Sequence, residues 1–486
     1  MNRTSLSLIA AVGALAAVTG FAALSAPDAT GTEPAGTAAR LPVERTSLAC
    51  PAPSTSDLAE TTYTSFTPVT EGTGGEGQGT LGPAGGGKAP KPVLTPGKPG
   101  SPVSAETSGG DAPALAGTAE GSFAPGWTVQ ETSEVAAGAG RGLLGVACTA
   151  PDTEFWFPGA STAGGRTDYV HLTNPDDAAA VVDIELYGED GALESTVGEG
   201  VPVAARSSEP ILLSTLTDAE ETDLTVHVNV RSGRVGAAVQ ALDDEVGGDW
   251  LAAAADPAGS LVVPGIPKDA TAVRLVAFTP GDADADLKVR LASPNGLITP
   301  AGGETLHLKS GMTTAVDLGD VTRGEPGSLV LTPTDQGVPV VAAVQVVRGE
   351  GDSRETAYIP AARAVGTRAS SAGNTDKGVT LSLTAPGKAA QVKVTASAGA
   401  GGGTPVSKTY AVRAGTTQDV EVPVPGGLKG TYALTVEPVS GGPVYASRTL
   451  AATQDGVPAF TVQTLPDDRG TVAVPEAEQD LSVLQR

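Results

Sequence analysis

Gly236-Ala237-Ala238-Val239-Gln240 returns 105 residues later as Val341-Ala342-Ala343-Val344-Gln345. A weaker third copy, Tyr445-Ala446-Ser447-Arg448, ends 103 residues beyond the second. Other anchors keep the same register. Val201-Pro202-Val203 is matched by Leu306-His307-Leu308 and Tyr410-Ala411-Val412, at offsets of 105 and 104. Asn174-Pro175, Thr279-Pro280 and Ala385-Pro386 each introduce a short turn and then an alternating strand, at 182–186, 287–291 and 392–396. Pro158, Pro264, Pro360 and Pro466 punctuate the joints. A shared register across independent anchors is the mark of internal repeats. They are expected at 158–263, 264–359 and 360–466.

Inside each repeat, apolar and polar residues alternate over four to eight positions between turn residues, the pattern of half-buried antiparallel strands. Asp190-Gly191 and Asn295-Gly296, again 105 apart, suit type I′ hairpins. The first repeat reads as strands at 169–173, 181–187, 201–204, 210–213, 223–229, 234–240 and 260–263. Seven short strands in about 100 residues predict a two-sheet sandwich. The expected fold is therefore all-β: tandem immunoglobulin-like β-sandwich repeats, strung as a rod.

Upstream, Arg141–Cys148 resembles the 233–240 strand, and Phe155–Gly159 echoes Leu261–Gly265. Residues 46–157 are thus expected to be a partial N-terminal β unit. From Glu71 to Ser122 there are 15 Gly and 7 Pro in 52 residues, a composition that predicts an unstructured insertion at 71–122. Cys50 and Cys148 are the only cysteines, and they are expected to form a disulfide. Closing that loop is worth up to ~4–5 kcal/mol in the chain-entropy picture.

The chain has 486 residues, with 55 acidic and 30 basic side chains and a net charge of −25. Such a surface repels nucleic-acid phosphates. Behind Arg3, residues 5–26 form an uncharged apolar run that reads as a signal peptide or signal-anchor helix. Either reading places the body of the protein outside the plasma membrane, secreted or held at its outer face. Membrane contact is expected through this segment only. Residues 27–45 read as a flexible tether and 467–486 as a polar tail.

Catalytic chemistry has little foothold. His171, His227 and His307 are scattered rather than clustered as metal ligands are, and no nucleophile elbow or phosphate loop occurs. No enzyme activity and no cofactor are expected. Asp282, Asp284 and Asp286 imitate the start of a calcium loop, but the sixth-place Gly is missing and Ser293 stands where a bidentate Glu belongs. A solvated turn is the better reading. One loop is distinctive: Asp243-Asp244-Glu245-Val246-Gly247-Gly248-Asp249-Trp250. It could stack a sugar on Trp250 while Asp243, Asp244, Glu245 and Asp249 accept its hydroxyls, with Trp156 as a second platform. The favoured alternative has Trp250 plugging the joint between the first two repeats, with the acids in solvent.

The Trp156-Phe157-Pro158-Gly159-Ala160 start, the Asn174-Pro175 turn, the 236–240 strand, Gly248-Asp249-Trp250-Leu251 and Val263-Pro264-Gly265 together resemble a family of exported actinobacterial proteins of unknown function. The resemblance covers roughly residues 46–470. It implies an extracytoplasmic cell-envelope protein and carries no activity or site residues with it. The expected function is a non-enzymatic structural or protein-interaction module whose partner is an envelope protein or a wall polymer. Carbohydrate binding to wall glycans is the alternative.

Overall fold

The computed structural model describes residues 39–85, 91–195, 197–454 and 457–474. The apolar run at 5–26, the tether up to residue 38 and the tail from residue 475 lie outside the described residues. Apart from two single 3-10 turns, Leu213–Thr215 and Gly351–Ser353, every regular element described is a β-strand. Ala39–Pro42 and Thr471–Val474 pair as a two-stranded ribbon.

Between them the strands fall into four modules, an N-terminal one at 45–147 and modules 1, 2 and 3 at 154–251, 261–360 and 369–464. Module 1 shows the plan. One antiparallel sheet orders Ala180–Gly188, Leu224–Ser232 and Glu154–Ala160, and the other orders Ser207–Leu212, Arg166–Asn174, Gly236–Asp243 and Gly247–Leu251. Alternating apolar residues of both sheets, among them Val170, Leu172, Val182, Ile184, Val226, Val228 and Val239, share one core. Modules 2 and 3 repeat this strand order.

Several expectations change here. The N-terminal module is not partial. Its sheets, Arg45–Cys50/Leu115–Gly121/Gly77–Pro83 and Val103–Ser108/Ala59–Phe66/Thr128–Val135/Gly142–Ala147, follow the same plan. Three of these strands come from the stretch expected to be unstructured. Composition misleads because its few apolar residues are well spaced: Leu81, Leu94 and Leu115 are buried with Tyr63 and Trp127. Glycine serves there as the smallest strand residue. A Cβ on Gly117 would lie 2.3 Å from the Thr80 carbonyl and 2.8 Å from the Trp127 ring.

The hairpins are placed correctly but are not type I′. Gly191 and Gly296 have positive φ, whereas Asp190 and Asn295 do not. Pro294 explains the second case, because a fixed φ near −65° belongs to position i+1 of a type I turn, which the glycine then closes. The prolines also mark different places. Pro158 and Pro264 lie inside first strands, whereas Pro360 ends the last strand of module 2. The strand at 260–263 therefore opens module 2, and the counterpart of 236–240 in the N-terminal module is Thr128–Val135 rather than 141–148.

The modules do not form a rod. Within residues 42–471 the last strands of the four modules, Gly142–Ala147, Gly247–Leu251, Glu355–Pro360 and Val457–Thr464, touch in cyclic order, and the fourth returns to the first. The first strand of each module packs on the next module's second sheet, again cyclically. The result is a closed ring with four short strands around its axis.

Candidate functional site

The axis is where the expected loop 243–250 goes, and it divides that loop in two. Asp243 turns back on its own chain, accepting hydrogen bonds from the Glu245 and Val246 amides at 2.7 and 3.0 Å. Glu245 pairs with Arg354 at 3.1 Å, and Asp244 is exposed. Gly247 begins the innermost strand and carries Asp249 and Trp250 into the ring.

Three of the four innermost strands present large outward side chains to the preceding module. Trp250 enters the N-terminal module, packing with Ala59, Val135, Leu144 and Val146. Tyr358 does the same for module 1, and Phe460 with Val462 for module 2. The structure thus puts Trp250 in a joint, but the joint between the N-terminal module and module 1. His171 meets its ring edge-on at 5.1 Å, and burial holds that imidazole down at about 4. At the corresponding place in the remaining joint stands Gly145. A Cβ there would fall 2.6 Å from Thr461 Cγ2 and 2.9 Å from Gln463 Nε2.

That joint, between module 3 and the N-terminal module, sets a polar centre between two small apolar contacts, Phe66 with Ala372 and Ala433, and Leu143 with Leu450 and Ala459. Arg448 is fully buried and donates to the Ala372 carbonyl, Asn374 Oδ1, Gln130 Oε1 and Gln463 Oε1. At its outer end Arg368 bonds Asp468, Thr70 Oγ1 and the Pro125 carbonyl. On the axis Asp249 accepts from the Gly145 amide at 3.0 Å and from the Thr461 hydroxyl at 3.0 and 3.1 Å, so one carboxyl joins three modules. Burial raises Asp249 well above the usual carboxylate range, with those hydrogen bonds opposing it and nearby Glu355 adding to it. Glu355 of module 2 accepts from Arg141 at 2.7 Å. Burial pushes it up to about 7 although Arg141 pulls the other way.

Asp249 with Gly145 and Thr461, and Glu355 with Arg141, tie modules together by hydrogen bonds, and among the described residues no set of three His, Cys, Asp or Glu side chains is grouped to hold a metal. Asp284 accepts from the Ser310 amide, and Asp286 pairs with His307. The two Trp residues considered for sugar stacking are unavailable: Trp250 is 2 % exposed and Trp156 5 %. Trp156 stacks on His227 with ring centroids 3.7 Å apart and packs against Phe278 and Val341 in the joint to module 2. Cys50 and Cys148 are bonded, with Cα atoms 4.4 Å apart. Sequence reasoning missed Arg141, Gly145, Glu355, Arg448 and Thr461. The available signal was the glycines at 142, 145, 247 and 248, spaced through two last strands, of which 141–148 reads as a copy of the 233–240 strand and 243–250 as a loop.

Residues 103–423 match a family of unknown function, DUF5719. No curated protein matches the chain.

Proposed function

The chain belongs to DUF5719, a family of unknown function, and from its own chemistry we propose that it is a non-enzymatic, exported cell-envelope protein that acts as a protein-interaction scaffold. In this reading each module is an immunoglobulin-like sandwich, and the ring holds their outer loops and edges at fixed angles for a partner. The observation that carries it is the contrast in charge between modules on one body. Residues 152–251 hold 20 acidic and 4 basic side chains, whereas residues 366–465 hold 5 acidic and 8 basic. Such fields steer and select charged protein partners. Export is supported by the apolar run behind Arg3 and is compatible with a disulfide, which persists in oxidising compartments. Glycan binding would have to do without Trp250 and Trp156, which are both buried.

The test is capture of partners from detergent-solubilised envelope by the full chain, against binding to isolated wall sacculi. Salt-sensitive capture of a defined protein supports the scaffold. Retention on sacculi alone would replace it with the glycan reading.

A further inference from the structure

An antiparallel sheet edge with free N–H and C=O groups is a template for another strand, and proteins blunt such edges with proline, short length or cover. Most edges of this ring are blunted. Val201–Val203 is centred on Pro202, Ser207–Leu212 contains Pro210, and Thr305–Leu308 is only 4 residues long. Thr313–Asp317 is covered by module 1, whose Tyr187 carbonyl accepts from Thr313 at 2.6 Å, and Thr416–Val420 lies against module 2. The N-terminal module's Val103–Ser108 is tied to module 3 through Ser104 and Thr431 at 3.1 Å.

Among the described edges just considered, Val406–Val412 differs. It is 7 residues long, has no proline, pairs on one side only with Ala390–Ala396, and is exposed from Val406 to Thr409. We propose that this edge pairs with the same edge of a second copy of the chain, in antiparallel register about a two-fold axis through Thr409.

The sequence is self-complementary in that register. Val406 faces Val412, Ser407 faces Ala411, Lys408 faces Tyr410 and Thr409 faces itself. Lys408 already lies over its own Tyr410 ring, 5.0 Å from the centroid, and pairing adds the partner's ring within reach of the ammonium. Strand alternation puts Val406, Lys408, Tyr410 and Val412 on one face and the small residues on the other. Electrostatics independently select this edge. Two chains of net charge −25 repel, and module 3 is the only module with more basic than acidic residues. It lies across the axis from the acid-rich module 1, so pairing here keeps the two acidic modules farthest apart.

The full chain with Thr409→Cys would be treated with a short bismaleimide, with Val197→Cys on module 1 as an exposed control. The expected result is a band of twice the monomer mass for Thr409→Cys and monomer for the control. In light scattering Thr409→Lys, which sets like charges on the two-fold axis, should halve the mass of the particle while far-UV circular dichroism stays unchanged. Equal crosslinking of both cysteine variants, no crosslinking of either, or a Thr409→Lys particle of unaltered mass would each overturn the proposal.

Discussion

Three joints of the ring are crossed by the chain, and one is not. The three continuous joints are filled by Trp250, by Tyr358 and by Phe460 with Val462. The closing joint keeps small apolar contacts at Phe66 and Leu143, but at the place of the plug it sets Gly145 beside Arg448, Gln463 and the Asp249–Thr461 pair. The difference has a physical reason. Modules tethered by a few residues meet at high effective concentration, so non-directional apolar contact suffices to dock them. The closing joint has no such tether and must distinguish the right partner from any apolar surface, which directional hydrogen bonds to buried groups do.

The sharpest way to break this contrast is Trp250→Ala. Emptying an aromatic site costs about 3–5 kcal/mol, seen as a lower denaturant midpoint, and the N-terminal module should lose amide-exchange protection before module 2. Removing the disulfide with Cys50→Ser and Cys148→Ser comes next, at roughly 2–4 kcal/mol. Because the N-terminal module also forms the closing joint, limited proteolysis should then cut there first and expose module 3 second. Gly145→Val tests whether an apolar plug can serve the closing joint. Overpacking against Thr461 and Gln463 should cost about 1–3 kcal/mol, measured by thermal melting, whereas a stabilised protein would refute the distinction.

The smallest effect is a pH slope. Glu355, raised to about 7 in the fold, contributes stability that is complete below its unfolded pKa and is lost as pH rises through 7. Asp249 is raised in the same direction. Melting temperature should therefore fall between pH 5 and 8, and Glu355→Gln should flatten that slope.

Much of the module was legible. Six of the seven strands read in the first repeat lie within module 1, because alternation and turn residues are local signals that survive in any context. Asn174 illustrates it: the Asn-Pro pair promised a turn, and its side chain bonds the carbonyls of Ala178, Val203 and Ala204. The innermost strands were legible only in part. Gly247–Leu251 and Gly142–Ala147 are buried on both faces, so they do not alternate; the first reads as a loop, and the second as a strand assigned to the wrong place in the module.

The sequence by itself thus determined an all-β chain, its period of about 105 residues and the pairing of its two cysteines. Ring closure, the burial of Trp250 and the role of Asp249 were decided only in three dimensions. They rest on contacts such as Asp249 with Thr461, 212 residues apart, and Arg448 with Gln130, 318 apart. Contacts at that range are set by how finished modules fit together, and they leave no periodic trace in the chain that makes them.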